Sequence, residues 1–416
     1  MKQPAIGMIC PYWLPMWGGA EQYHLRLASR LQDHGFPVKV FCGIAEVEDR
    51  DNGHLLVERC APFRNITAGA WGKALTTRTD EAFGALSDQY EFMKRAVRWA
   101  KSSGIGIALI GNPFNDPRLF HVRELYRQLQ DMNIKVGLIH HDLSDEVSAN
   151  LRKAYLKGRV DWSTATRMVA TSLRKLAKSE PHMKWTAMAN SPLFFEPDFL
   201  ISNSEWATQF IDPLDACPKF VLHPPMDHEF WRAASTRKPA LSTVDVLMVN
   251  PQSRKNPQLM KEIIEKSPRT ATFRILKGGW GDSFAKFSQL IEPLHEQKKA
   301  NIDFVEYVDD MRDAYGSSRV LVFPSLEEGY GMTPVEAMYC GLPVVSSNYP
   351  AIGEAVGGAA RSLCPYRIPA EGWVAAVEHA LENREMWQQR SLQRSIMLEQ
   401  RQEKEFTGLC DFLSGI

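Results

Sequence analysis

The chain has 416 residues, more than one hydrophobic core usually supports, so two domains are expected. Hydrophobic residues make up 44% and charged residues 24%, and no stretch approaches the roughly 20 apolar residues that a membrane-spanning helix needs. Basic and acidic residues number 49 each, so no net field favours nucleic acid as a partner.

The cysteines indicate the redox state of the compartment in which the protein lies. Seven are scattered along the chain without any C-x-x-C pair, and Cys10, Cys42 and Cys340 lie inside or beside apolar runs. Buried thiols of this kind suit a reducing environment rather than disulfides or zinc. The first residues also lack the long apolar region of a signal peptide. We therefore expect a cytoplasmic protein whose mature chain begins at Met1.

In the first half, short apolar runs alternate with helical patterns. A helix is predicted over 20–34, where Gly35 ends it. Strands are predicted over 5–10, 37–43, 106–110, 135–140 and 199–202. Such alternation predicts a parallel, doubly wound α/β sheet.

The second half repeats this pattern after a Pro-Pro pair and a polar stretch. Strands are predicted over 244–249, 272–276, 302–308, 320–324 and 343–346. Helices are predicted to begin at Pro257, Ser283, Asp310 and Pro334, and a charged helix is predicted over 384–412. We predict a first domain over 1–225, a linker over 226–243, a second domain over 244–390 and a C-terminal helix over 391–416. Whether that helix crosses back to the first domain stays open.

The stretch 320–341 holds the strongest pattern: a buried strand, a turn with two glycines and a helix. Ligands of such sheets bind at the carboxyl ends of strands, where this turn falls. Gly329 and Gly331 let the backbone approach a ligand. The N–H groups of Met332, Thr333 and Val335 are predicted to be free at the helix start, where they can bind phosphate or sugar hydroxyls.

Two carboxylates, Glu328 and Glu336, lie on either side of this turn. Each has a structural alternative. Thr333 as N-cap, Pro334 at the first helical position and Glu336 three residues after the cap would form a capping box. Glu328 could be a solvated loop acid beside Glu327. Spacing alone leaves both alternatives open.

The segment resembles the Glu-x7-Glu signature of GT-B retaining glycosyltransferases of family 4, also called glycosyl transferases group 1. Glu328 and Glu336 match the two glutamates, and 323–325 and 341–345 match the flanks. The resemblance implies two Rossmann-like domains facing across a cleft, with the donor bound mainly by the second.

The resemblance also implies roles for these residues. Glu328 is expected to hydrogen-bond hydroxyls of the transferred sugar, and Glu336 to hold the nucleotide ribose. The turn is expected to bind sugar and phosphate oxygens through the amides of Gly331, Met332 and Thr333. Tyr330 stands where the family more often has phenylalanine. Base contacts are expected near Tyr307 and Val308.

Lys255 resembles the family's phosphate-binding lysine, in a loop between a predicted strand and a helix. The family usually carries a Gly-Arg pair several residues earlier, where this chain has Asn250-Pro251. Arg254 would supply the charge, or Asn250 marks a subgroup. The structural alternative is a pair of exposed cations in a helix-entry loop, and the residues alone leave it open.

Positions in the first half also match the family. Gly18 and Gly19 resemble its glycine loop, which approaches the donor phosphate, and His141-Asp142 resembles its active-site His-Asp, close to the anomeric carbon. The aromatic stretch 12–17 would line an acceptor pocket or simply be packed. The structural alternative for a histidine at a strand end is an ordinary residue whose hydrogen bonds are satisfied within the protein, and it stays open.

The stretch 151–184 is basic, with Arg174 and Lys178 on one helix face by spacing. One interpretation is a surface that binds anionic lipid or a phosphorylated acceptor. The alternative is a pair of solvated helices.

Together the resemblance implies a retaining hexosyltransferase. We expect it to use a UDP- or GDP-sugar as donor substrate, without a metal or other cofactor, and a glycan, lipid-linked or small-molecule acceptor. The metal-independent expectation rests on Lys255 and on turns that lack an Asp-x-Asp pair. The main alternative is a catalytically silent GT-B protein that binds sugar nucleotides or scaffolds glycan assembly. An epimerase or phosphorylase fits the signature and length less well, and no G-x-G-x-x-G supports a dehydrogenase.

Overall fold

The structure is a computed structural model. It describes residues 3–10, 13, 19–43, 55–60, 80–111, 122–141, 197–208, 217–235, 241–277, 283–296 and 301–416.

The chain divides into two compact units. The first comprises Met1–Pro225 with Lys404–Ile416, and the second comprises Met226–Glu403. The predicted linker over 226–243 needs correction, because Met226, Trp231 and Ala234 are buried in the core of the second unit. Large apolar side chains such as Trp231 gain too much from burial to stay in a free linker. The predicted break after residue 390 also needs correction, since one helix runs through it.

The first unit is built on a parallel sheet with the strand order β3-β2-β1-β4-β5-β6-β7. Every residue of β1, β4 and β6 is buried, as expected for strands covered on both faces. The strands are β1 (Ile6–Cys10), β2 (Val38–Cys42), β3 (Leu56–Arg59), β4 (Ile107–Gly111), β5 (Lys135–His140), β6 (Phe199–Ser202) and β7 (Lys219–Val221). The helices are α1 (Gly19–Asp33), α2 (Asp80–Ser103), α3 (Val122–Asp131) and α4 (Glu205–Thr208).

The second unit has its own parallel sheet, with the strand order β10-β9-β8-β11-β12-β13. Its strands are β8 (Val244–Val249), β9 (Thr272–Leu276), β10 (Asn301–Val305), β11 (Ser318–Phe323), β12 (Val344–Ser347) and β13 (Arg361–Leu363). The remaining helices are α5 (His228–Arg232), α6 (Pro257–Lys266), α7 (Ser283–Glu296), α8 (Met311–Gly316), α9 (Met332–Tyr339), α10 (Pro350–Val356), α11 (Ala370–Glu382) and α12 (Arg384–Gly415). The predicted α/β fold class with two doubly wound parallel sheets is confirmed.

Three strands lack the apolar run by which the others were predicted. They are β3, β7 and β13, and each lies at the edge of its sheet. They have four, three and three residues, and their burial is partial. An edge strand has one unpaired side and less covered surface, so its sequence carries a weaker apolar signal.

Helix α12 contributes to both units. Phe406, Leu409 and Leu413 are buried in the core of the first unit, beside Leu27 and Leu31 of α1. Upstream, Leu398 is buried in the core of the second unit. Among the described residues, no helix combines the length and apolar character needed to span a bilayer.

Candidate functional site

The second sheet brings two loops together at its carboxyl edge. The loop after β8 carries Lys255 and the loop after β11 carries Glu328, and these strands are neighbours in the sheet. Leu326 N–H donates to the carbonyl of Arg254 over 2.8 Å, which joins the loops through the backbone. Residues 73 positions apart in sequence therefore meet at one site.

Lys255 and Glu328 form a buried ion pair. The Lys255 ammonium donates to Glu328 Oε1, and their side chains are only 7% and 10% exposed. The ammonium also lies 4.5 Å from the centroid of the Phe323 ring, a cation–π contact. Burial lowers the pKa of Lys255, while the Glu328 carboxylate opposes that shift. The structural alternative of Glu328 as a solvated loop acid is therefore wrong.

Ser325 orients the Glu328 carboxylate. Its hydroxyl lies 2.6 Å from Glu328 Oε1, so this oxygen accepts from Ser325 as well as from Lys255. Ser325 is fully buried just after β11. The carboxylate is thus held in place from the protein side before any ligand arrives.

Helix α9 begins earlier than the sequence predicts. Its N-cap is Gly331, with φ of 109°, and no side chain caps it. A positive φ of this size favours glycine. The predicted capping box is wrong, because Thr333 lies inside the first turn.

The helix start therefore offers fewer free amides than predicted. Val335 N–H donates to the carbonyl of Gly331 over 3.4 Å, so its predicted freedom is wrong. Pro334 has no N–H. Met332 and Thr333 lie in the first turn, where amides have no partner inside the helix. These two amides point a positive helix end towards the carboxyl edge of the sheet.

Glu336 lies one turn into α9, where Tyr315 holds it. The Tyr315 hydroxyl donates to Glu336 Oε2 over 2.9 Å. Tyr315 is 1% exposed, and burial followed by the Glu336 charge raises the pKa of its hydroxyl. No role for Tyr315 was predicted from the sequence, because nothing local connects it with a glutamate in another helix.

The other predicted donor-site residues differ in exposure. Arg254 is exposed, and Tyr307 is 78% exposed just after β10. Val308 is partly buried against the core of the second unit. Tyr330 is 2% exposed and packs in that core. Asn250 adopts a left-handed φ of 58° directly after β8.

In the first unit, His141 follows β5 and is buried. Its Nε2 lies 3.0 Å from Nε2 of His24, and Asn203 donates to its carbonyl over 3.1 Å. Burial lowers the pKa of His24 and of His140 to about 3, and burial with these two neighbours lowers the pKa of His141. His24 was not predicted from the sequence, where it is one more residue of an amphipathic helix.

The remaining sequence predictions fall mostly outside the described residues. Gly19 is the first residue of α1 and is exposed, whereas Gly18 lies outside the described part. Trp13 is fully buried, and the rest of the stretch 12–17 is not described. The basic stretch 151–184 and Asp142 also lie outside the described residues.

Comparison with known proteins identifies the family of the second unit. Residues 248–383 match the family model for glycosyl transferases group 1. This region is a group 1 glycosyltransferase domain. The predicted recognition is thus confirmed, and Lys255, Glu328 and Glu336 all lie within the matched part of this domain.

Solved structures extend the fold to the whole chain. Alr3699/HepE from Anabaena, in complex with UDP and glucose, has a TM-score of 0.65 at 14% identity, over 99% of this chain and 100% of that one. WaaG, a glycosyltransferase involved in lipopolysaccharide biosynthesis, has a TM-score of 0.62 at 14% identity, with the same coverage. The chain has the GT-B fold.

Curated relatives match shorter parts. O-antigen chain mannosyltransferase B of Escherichia coli is 33% identical over 126 residues, which are 29% of this chain and 32% of the relative. D-inositol 3-phosphate glycosyltransferase of Rhodococcus opacus is 24% identical over 255 residues, 54% of this chain and 57% of the relative. The chain thus matches about a third to just over half of the length of these relatives.

Proposed function

We propose that the protein is a retaining, metal-independent glycosyltransferase of family 4. It moves a hexosyl group from a UDP- or GDP-sugar to a glycan, lipid-linked or small-molecule acceptor. The observation that carries this proposal is the buried Lys255–Glu328 pair beside the start of α9, inside the group 1 domain. The names of the relatives support mannose as the first sugar to test.

The donor diphosphate has three sources of positive potential in this arrangement. Lys255 supplies a full charge, Arg254 lies exposed one residue before it, and α9 presents the amides of Met332 and Thr333. Oxyanions bind well at helix starts because free N–H groups and the helix dipole act together. As the bond to the leaving phosphate breaks, negative charge grows where these groups lie.

The two glutamates bind the neutral parts of the donor. Glu328 accepts hydrogen bonds from hydroxyls of the transferred sugar, using carboxylate lone pairs that Lys255 and Ser325 do not occupy. Glu336 accepts from the ribose hydroxyls, and Tyr315 holds its carboxylate in the required orientation. The backbone near Tyr307 and Val308 contacts the base. The phosphates are approached by Tyr330 and Gly331 and by the glycine loop at Gly18 and Gly19.

The reaction proceeds as a same-face displacement. The leaving phosphate helps to take the proton of the acceptor hydroxyl, while Lys255 and the α9 amides stabilise the developing charge. His141 contacts the transferred sugar, and the first unit binds the acceptor. No protein nucleophile is needed, and the donor's anomeric configuration is retained. Cations and amides do the work that a divalent metal does elsewhere.

The test begins with thermal shifts of the parent and of Lys255→Met against UDP, GDP and their sugars. A nucleotide at 100 times its Kd should add about 2.7 kcal/mol to the stability of the parent. Lys255→Met should lose most of this shift. Transfer should then persist in EDTA, and the product's anomeric proton signal should keep the donor's configuration. Activity restored only by magnesium or manganese, or an inverted product, would contradict the metal and stereochemical parts.

A catalytically silent sugar-nucleotide-binding scaffold is the second candidate. Asn250-Pro251 favours it, because the family usually has Gly-Arg there and Asn250 carries no charge for the diphosphate. The two candidates differ in turnover. If the parent releases nucleotide from a sugar nucleotide and Glu328→Gln does not, the scaffold is excluded. If nucleotide binds but no donor in the panel is cleaved, the scaffold is supported.

We also propose a cytoplasmic location at the inner face of the membrane, with peripheral contact to anionic lipid through the stretch 151–184. The seven cysteines are all free thiols, which suits a reducing compartment. Charge reversal at Arg174 and Lys178 should reduce binding to anionic vesicles, as should added salt. Equal vesicle binding by the variant and the parent would leave these cations as solvated surface.

A further inference from the structure

A buried histidine pair joins helix α1 to the end of β5. Nε2 of His24 and Nε2 of His141 are 3.0 Å apart, and their ring centroids are 4.8 Å apart at 62°. The Tyr23 ring packs edge-on against His141, with centroids 4.5 Å apart. His24 is 4% exposed and His141 9%. The contact is therefore shielded from water and held from two sides.

The sheet leaves room for His24 only because residue 111 is glycine. A Cβ at Gly111 would lie 2.4 Å from Cε1 and 2.7 Å from Nε2 of His24. Gly111 ends β4, next to β5 in the sheet. Any other residue at this position would push the His24 ring off His141. The position of His24 is thus set by strand geometry as well as by its own helix.

The protons in this pair can be assigned. A neutral imidazole has one N–H and one bare nitrogen, so in an Nε2–Nε2 contact one ring donates and the other accepts. If His141 donated, His24 would carry its proton on Nδ1, which is buried and has no partner among the described residues. Buried N–H groups without an acceptor are rare in native proteins. The arrangement that avoids one has His24 donating from Nε2.

We propose that His24 is a positioning residue that fixes the tautomer of His141, with the His141 proton on Nδ1. His141 then meets substrate as an N–H donor to a sugar hydroxyl or a developing oxyanion, and does not act as a general base. Its only basic nitrogen, Nε2, is occupied by His24. The substrate part rests on the proposed function, whereas the tautomer is a property of the free protein.

The tautomer can be measured without substrate, by nitrogen NMR of protein labelled at its eleven histidines. His141 signals are assigned from their loss in His141→Asn. We expect Nδ1 of His141 to be protonated and Nε2 to be bare at neutral pH. In His24→Phe, which keeps the ring but removes the donor, the proton should redistribute towards Nε2. Protonated Nε2 in the parent, or identical shifts in His24→Phe, would overturn the proposal.

Kinetics test the consequence for turnover. His24→Phe should lower kcat at least about tenfold with little change in nucleotide affinity. His24→Gln, whose amide can donate from nearly the same place, should recover most of that loss. Gly111→Ala should act like His24→Phe although both histidines remain. His34→Gln is the matched control, because His34 is exposed just beyond α1. Equal kcat in His24→Phe and the parent would refute a positioning role.

These outcomes separate the inference from the proposed function. If His141 carries its proton on Nδ1 and no sugar nucleotide is turned over, the function fails and the tautomer assignment stands. If transfer is confirmed and the His141 proton lies on Nε2, the function stands and the inference fails.

Discussion

Replacing Glu328 by glutamine tests the centre of the proposed site. Breaking a buried ion pair from one side costs about 3–5 kcal/mol, because the remaining charge stays buried without a partner. The glutamine oxygen still accepts from Ser325, so we expect the lower end, about 3 kcal/mol. For a domain of this size that is roughly 6–12 °C in Tm. Turnover should fall at least about tenfold, or 1.4 kcal/mol of transition-state stabilisation.

Two further variants make this prediction specific. Glu306→Gln is the matched control, because its pair with Lys277 is 3.3 Å long but exposed, and such pairs are weak. The double variant Lys255→Met with Glu328→Gln should lose less stability than the two single variants lose together, because it buries no unpaired charge.

The assays are thermal unfolding and steady-state kinetics with the donor found in the nucleotide panel. Glu328→Gln should keep a nucleotide-induced thermal shift, because the diphosphate can replace the lost carboxylate as partner of Lys255. An unchanged Tm would refute the buried pair, and unchanged kinetics with a confirmed donor would remove Glu328 from the site.

Two other predictions follow from neighbouring contacts. Glu336→Gln and Tyr315→Phe should each weaken nucleotide binding by roughly tenfold in titration calorimetry. The first variant removes the carboxylate that accepts from the ribose, and the second leaves that carboxylate misoriented. A lower Tm with intact affinity would make Glu336 a structural residue. Stability should also fall in acid: the pKa of His24 and of His140 drops from 6.5 to about 3 on folding, so only the unfolded chain binds protons between these values. Stability is then complete above pH 6.5 and declines below it, by about 2 kcal/mol per histidine at pH 5. Urea unfolding at pH 7.5 and 5.0 should show this loss, and His24→Gln should recover the share of one histidine, about 2 kcal/mol. A loss equal to that of the parent would contradict the buried neutral histidine.

The sequence by itself determined the fold class and the segment proposed as the donor site. Buried parallel strands need apolar runs, so β5, β6, β8 and β9 were predicted to the residue. The turn after β11 was located by its glycines and by the spacing of Glu328 and Glu336, and this is local information. The family followed from the same segment, because a signature is a run of neighbouring residues.

Only the tertiary structure decided which side chains meet. Lys255 and Glu328 pair because β8 and β11 are adjacent in the sheet, an order that strand sequences do not encode locally. His24 and His141 are 117 residues apart, and their contact depends on a glycine in a third element. The capping pattern also failed to predict the start of α9, whose N-cap is Gly331 and not Thr333. The two side-chain contacts depend on strand order and on packing between distant elements, which no single segment determines. The helix start depends on the positive φ of Gly331.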